Sequence, residues 1–276
     1  MVARAIAMGL RKELGQAVIV ENRPGAGGSV GMELVAMSAA DGYTLLYSGT
    51  SLVLNKFLFR SLPFDVQKDF TPIGTLASAP LFLVANPESG PRSLQDLIET
   101  GKTGKQYAVA TPGIGTPHHF AGVWLASSLN LNFIHIPYKG SGPAATDVVS
   151  GQVPLVISTF QSVEGFMKSG KLRPIALTSA ERIASLKDVP TVNEFAKDVV
   201  VTVWHGLLAP AGLPVAIRDS LSSALAKAVS DAEVIPIINR AGFDAVYGSA
   251  DAMQQRIQRE LSVWQKVASD AKIVPE

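Results

Sequence analysis

The stretch Val18–Asn55, VIVENRPGAGGSVGMELVAMSAADGYTLLYSGTSLVLN, decides the fold class. It reads as an apolar strand, a glycine-rich turn, an amphipathic helix, a second strand and a polar loop. Gly25, Gly27, Gly28 and Gly31 precede or open the helix, and its apolar stripe is Val30, Leu34 and Met37. Asp41-Gly42 ends it with turn chemistry, and YTLLYS (43–48) reads as a buried strand. A βαβ unit sets the loop after each strand at one edge of a sheet, where α/β proteins hold ligands. The loop SGTS (48–51) brings hydroxyls and free backbone N–H groups there, with no metal ligand and no nucleophile–base pair. Such a loop suits holding a small polar molecule rather than changing one.

The same rhythm returns in the middle of the chain. FTPIGTL (70–76) and PLFLVANP (80–87) read as two strands, and Ser93 with Asp96 makes a capping box for a short helix. QYAVAT (106–111) leads through Pro112–Pro117 into a helix whose inner face carries Phe120 and Trp124. FIHIP (133–137) leads through Tyr138–Pro143 into another, and VPLVIS (153–158) into a third. RPIALTS (173–179) and WHGLLAP (204–210) read as strands, and Thr191 with Glu194 as a further capping box. The last helix has the clearest period, with Met253, Ile257, Leu261, Trp264 and Ala268 on one face. The pattern predicts two α/β domains: residues 1–88 with 203–276, and an inserted domain of 89–202. The crossings fall near 87–91 and 200–203, and domain interfaces are favoured places for ligands.

Composition narrows the class. With 47% hydrophobic and 17% charged residues, long disorder is excluded. A net charge of +1 argues against nucleic acid, which needs a basic surface to displace counterions. There are no cysteines, hence no disulfide or thiolate metal site. The opening MVARAIAMGLRKELG is broken by Arg4, Arg11, Lys12 and Glu13, so it does not read as a signal peptide. Val2, Ile6, Leu10 and Leu14 recur instead at helical spacing. The chain therefore opens inside a helix with no capping residue ahead of it, as a sequence that has lost its beginning would.

Four features bear on chemistry. GAGGSVG (25–31) has the spacing of a dinucleotide fingerprint, but Arg23-Pro24 sits where the tight turn should begin and no acidic residue follows the next strand. Glycines that permit close helix–sheet packing explain it better. Thr116 is a good N-cap, Pro117 suits the first helical position, and Gly113 and Gly115 bare the backbone before it. That helix carries His118 and His119 in its first turn, with no carboxylate, so its N–H groups and dipole make a seat for an anion. An ordinary capped helix facing water fits the spacing equally well. Tyr138-Lys139-Gly140-Ser141-Gly142-Pro143 repeats the arrangement with a cation and a phenol, although a loop lysine is usually just solvated. Adjacent histidines do not share a helix face, so metal binding is not expected, and no nucleophile elbow is present.

Taken together, several segments resemble the substrate-binding proteins of tripartite tricarboxylate transporters, the Bug family of periplasmic receptors. They are VENRPGAGG (20–28) with Gly31, DGYTLL (41–46), GIGTPHH (113–119), IPYKGSGPA (136–144) with Gly151-Gln152-Val153, RPIALTS with Arg182, VPTVNE (189–194) and WHGLLAPAGLP (204–214). The resemblance runs along essentially the whole chain. It implies a two-domain α/β periplasmic-binding-protein fold, the type II-like Venus flytrap, with the first strand of domain 1 missing. It also implies a non-enzymatic, cofactor-free and monomeric receptor that closes its interdomain cleft on a small carboxylate, an organic acid or amino acid. The receptor would then deliver that ligand to membrane subunits of the transporter. Carried over by position, the ligand-binding residues are Ser48, Thr50, Ser51 and Asn55 in one domain. In the other they are Gly113, Gly115, Thr116, His118, Tyr138, Lys139, Gly140 and Ser158.

Family members begin with a signal peptide, a strand and a glycine-rich loop ahead of the helix that opens here. The comparison implies lower stability and affinity without them, and a cytoplasmic location for a chain whose family works in the periplasm. Two alternatives remain: an NADP-dependent oxidoreductase using the Gly25–Gly31 turn, and a truncated homologue that binds nothing.

Overall fold

The structure, a computed structural model, describes residues 1–270, 273 and 275. In chain order the elements are α1 (Val2–Leu14), α2 (Ser29–Ala36), β1 (Leu46–Gly49), α3 (Thr50–Leu58), β2 (Phe70–Ala85), α4 (Leu94–Gly101), β3 (Gln106–Thr111) and α5 (Pro117–Ser128). They continue with β4 (Asn132–Pro137), α6 (Ser141–Val149), β5 (Leu155–Thr159), α7 (Phe160–Lys168), β6 (Arg173–Leu177), β7 (Thr202–Pro210), α8 (Val215–Val229), α9 (Ile235–Arg240), β8 (Asp244–Ser249) and α10 (Ala250–Asp270). The chain forms two compact units, chiefly Met1–Ala79 with Trp204–Lys266, and Pro80–Val203. It leaves the first unit inside β2, between Ala79 and Pro80, and returns between Val203 and Trp204.

In the first unit the strand order is β1-β7-β2-β8, with β1 antiparallel to β7 and β8 antiparallel to the early part of β2. The amphipathic face of α1 buries Val2, Ile6 and Leu10 with Leu221, Leu225 and Ala228 of α8, over Ile73 and Leu76 of β2. Full burial of each such aliphatic side chain contributes about 1.5–3 kcal/mol, which is what holds this helix pair on the sheet. Trp204 is completely buried; its indole N–H donates to the Glu260 carboxylate at 2.8 and 2.9 Å, and its backbone N–H donates to Thr50 Oγ1 at 3.0 Å. The period read in the last helix holds, since Met253, Ile257, Leu261 and Trp264 are all buried.

In the second unit the later part of β2 lies between β6 and β5, and the order continues to β3 and β4. β3 is parallel to both β4 and β5. One face of this sheet, with Phe82, Val84, Ala110 and Val156, packs on Ala144 and Val148 of α6 and Val163 of α7. The other face is met by α5 at Gly122, where an added Cβ would stand 2.8 Å from His135 Cε1 and 2.9 Å from Ile157 Cδ1. Glycine there lets α5 approach without displacing either side chain.

Four expectations are corrected. FTPIGTL and PLFLVANP belong to the single strand β2, which pairs with β8 as far as Ser78 and with β5 from Leu81 onward. SGTS is not a loop: β1 ends at Gly49 and α3 begins at Thr50. Val18–Val20 is not a strand; residues 17–24 have no regular structure and Ile19 is 82% exposed. Finally, α2 buries Met32 and Val35 and leaves Val30, Leu34 and Met37 exposed, so the presumed inner stripe faces outward.

Candidate functional site

In the second unit the parallel strands β5, β3 and β4 end together, each running into a helix. Outside the carboxyl ends of such strands is where open α/β sheets bind ligands. Two glycine loops close this edge and are tied to each other: Tyr138 N–H donates to Thr111 O at 2.9 Å, and Gly140 N–H to Pro112 O at 3.2 Å. Gly113 and Gly115 both have positive φ (147° and 76°), a backbone path that L side chains rarely take.

The start of α5 follows the sequence reading closely. Thr116 Oγ1 accepts from His119 N–H at 3.3 Å and donates to Gly113 O at 2.8 Å, with Pro117 at the first helical position. Gly115 N–H donates to His119 Nδ1 at 3.3 Å, which fixes that nitrogen as an acceptor and the ring as neutral. His118 is buried in the first turn, and neither of its ring nitrogens has a hydrogen-bond partner among the described residues. Burial pulls its pKa down to about 4. His135, whose ring centroid is 4.8 Å from that of His119, is likewise pulled down to about 4, first by burial and then by His119. The three imidazoles are therefore neutral dipoles at neutral pH. A neutral imidazole still supplies one N–H donor.

Thr111 and Ser158 are fully buried, and their hydroxyls lack a partner among the described residues. The parallel register sets Ala110 beside Val156, so Thr111 shares the α5 face with Val109 and Ile157. Ser158 shares the α6–α7 face with Val156, since side chains alternate along a strand. Thr111 is thus the residue the sequence reading missed. Its signal was present: a hydroxyl as the last residue of an otherwise apolar strand, just before a glycine loop. Tyr138 is engaged elsewhere, its hydroxyl donating to Asp147 Oδ2 at 2.8 Å, and its pKa is pushed up to about 12 by burial and by that carboxylate. Lys139 is exposed.

In the first unit Ser48, Thr50, Ser51 and Asn55 gather where β1 passes into α3. Two of them have structural partners. Thr50 accepts from Trp204 N–H, and buried Asn55 donates from Nδ2 to Gly27 O at 3.2 Å and Ser29 Oγ at 3.1 Å, tethering the glycine turn. That turn is a short 3-10 segment, Ala26–Gly28, with no strand before it, so the strand–turn–helix geometry of a dinucleotide fingerprint is not formed. Among the described residues no group of histidine and carboxylate side chains is placed to hold a metal, and no helix is long and apolar enough to cross a membrane.

The model of the tripartite tricarboxylate transporter family receptor matches residues 2–272. Protein BugT of Bordetella pertussis is 33% identical over 98% of this chain and 84% of its own length. Among solved structures, R. palustris Rpa4515 with adipate is 28% identical, covers 100% of this chain and 93% of its own, and superposes with a TM-score of 0.82. MatC from Rhodopseudomonas palustris with bound malate is 29% identical over 96% of this chain and 92% of its own, with a TM-score of 0.77.

Proposed function

Because the chain belongs to the tripartite tricarboxylate transporter receptor family, we propose that it captures a small organic carboxylate and hands it to the membrane subunits of such a transporter. In that role it works on the periplasmic side of the membrane and catalyses no reaction. The observation that carries the reading is the start of α5. There a capped helix N-terminus, two glycines with positive φ and the buried, unpartnered imidazole of His118 occur together. A carboxylate oxygen suits this place. It accepts from the backbone N–H of His118, since those of Gly115, Thr116 and His119 are engaged within the turn. It is favoured by the positive helix end, and it accepts one imidazole N–H.

The chemistry points to an anion held by dipoles rather than by an opposite charge. His118, His119 and His135 are neutral and Lys139 is exposed. Thr111 adds a buried hydroxyl on the same sheet face. Ligands of this kind include the dicarboxylates adipate and malate that occupy two similar proteins.

A thermal melt with a panel of mono-, di- and tricarboxylates, amino acids and nucleotides tests the proposal. Ligand at a hundred times its Kd adds about 2.7 kcal/mol of stability, a shift of several degrees. His118→Leu, which fills the same buried volume without a donor, should keep the unliganded melting temperature within a few degrees and lose most of the carboxylate shift. A shift with nucleotide alone would overturn the receptor reading.

A further inference from the structure

Three helix starts in the second unit are closed the same way: the third helical residue reaches back with its side chain to accept a backbone N–H at the cap. At α4 the Asp96 carboxylate accepts from Arg92 N–H at 2.7 Å, while Asp96 N–H donates to Ser93 Oγ at 3.1 Å. At residues 191–194 the Glu194 carboxylate accepts from Thr191 N–H at 2.9 Å. At α5 the closing residue is His119. Its N–H donates to Thr116 Oγ1, and its Nδ1 accepts from Gly115 N–H, which stands to α5 as Arg92 N–H stands to α4. Burial lowers the pKa of this ring, so the third closure is neutral where the other two are anionic. The ring stands edge-on to those of His135 and Phe120, with centroids 4.8 and 6.1 Å away. The first turn of α5 carries no acidic residue, and β3, β4 and β5, the strands packed against it, carry no carboxylate.

From this contrast we propose that His119 is the positioning residue of the α5 site: it fastens the Gly113–Gly115 loop to the helix without bringing a negative charge to the place the ligand's own charge takes. The inference rests on the receptor reading above and supplies the reason for a histidine at this position. A carboxylate here, as at α4, would itself occupy the positive helix end and repel a second anion. A side chain with no acceptor would release Gly115 N–H. A loop with two glycines at positive φ then has many conformations to lose again when ligand binds. The imidazole avoids both costs. It leaves to the ligand the N–H of His118, which has no partner among the described residues, and the buried, unpartnered ring of the same residue. His119 acts through the loop and need not touch the ligand.

The test compares His119→Asn, His119→Asp and His119→Leu in the full chain. Titration calorimetry with adipate, malate and the other carboxylates of the panel is read beside melting temperature and Gly115 amide exchange. Asn and Asp are the same size, and both bring an acceptor to the place from which Asp96 reaches Arg92 N–H, so the pair differs in charge alone. Both should keep Gly115 exchange slow and the melting temperature close to that of the unsubstituted chain. The Asn variant should bind within about threefold of the unsubstituted chain, and the Asp variant about a hundredfold more weakly. The Leu variant should free the Gly115 amide and bind about tenfold more weakly. A cap with a structural role only would make Asp at least as good as Asn in every readout. Equal affinities for the Asn and Asp variants therefore overturn the proposal, as does slow Gly115 exchange in the Leu variant or fast exchange in the unsubstituted chain. In those cases the receptor reading stands. An unsubstituted chain that binds no carboxylate of the panel removes the receptor reading and this proposal together.

Discussion

The two units carry the same sequence device, an apolar run, a glycine loop and a helix, and it behaves differently in each. In the second unit QYAVAT, FIHIP and VPLVIS all become strands leading into helices, because each has a partner in the sheet. In the first unit VIVENRPGAGG has equal strand composition and forms none. The helix after it has its Val30–Leu34–Met37 stripe outward. A helix satisfies its own backbone and can be read locally; a strand exists only if another strand lies beside it. Local pattern is therefore a stronger guide to helices than to edge strands.

That comparison can be broken most sharply at close backbone contacts. Gly49→Ala in the first unit would set a Cβ 1.8 Å from Trp204 O, a rigid backbone atom, so β1 and β7 must separate. We expect a loss of about 3–5 kcal/mol in denaturant unfolding. Gly122→Ala in the second unit meets only side-chain atoms, and should cost about 1–3 kcal/mol. If the two losses were equal, the tighter backbone junction of the first unit would be refuted.

Acid should weaken both units. His205 in the first unit and His118 and His135 in the second have folded pKa values of about 4, lowered by burial from the ordinary 6.5. Between those values the unfolded chain binds protons that the folded chain refuses, so stability falls as pH drops from 6.5 to 4 and levels below. Glu194, held at about 2 by Arg182 and by the backbone N–H of Thr191, adds a further loss below its ordinary 4.5. Melting temperatures across pH 7 to 3 check this, and His205→Phe should flatten the first part of the fall. An unchanged slope in that variant would remove His205 from the account.

Helix caps separate stability from binding within the second unit. Thr116→Ala and Ser93→Ala each remove a side-chain acceptor for the third residue of its helix, from His119 N–H and Asp96 N–H respectively. Each should cost about 1 kcal/mol. Only Thr116→Ala should also weaken carboxylate binding in titration calorimetry; equal affinities for the two variants would displace the site from α5. The smallest effect is expected at the outward stripe of α2. Leu34→Ser should change stability by less than about 0.5 kcal/mol, and a larger loss would show that this stripe is already covered.

Much of the proposed α5 site was legible because its parts are local. A threonine cap, a proline at the first helical position and two preceding glycines are each defined within five residues, and the structure forms them as read. Thr111 was not legible as a site residue, since its burial without a partner depends on α5 covering one face of β3. The structural duties of Thr50 and Asn55, toward Trp204 and the glycine turn, join positions distant in sequence and leave no pattern there. The continuous β2 was missed for a similar reason: it serves a different sheet at each end.

Sequence alone determined the α/β class, the helices with strong apolar period, the capped start of α5, and the family through motifs spread along the whole chain. Only tertiary structure decided which apolar runs are strands, which face of α2 is inward, and which hydroxyls and imidazoles lose their hydrogen-bond partners on burial. The division follows the range of the forces. Helical hydrogen bonds and caps close within a few residues, whereas strand pairing and desolvation depend on what the rest of the chain brings alongside.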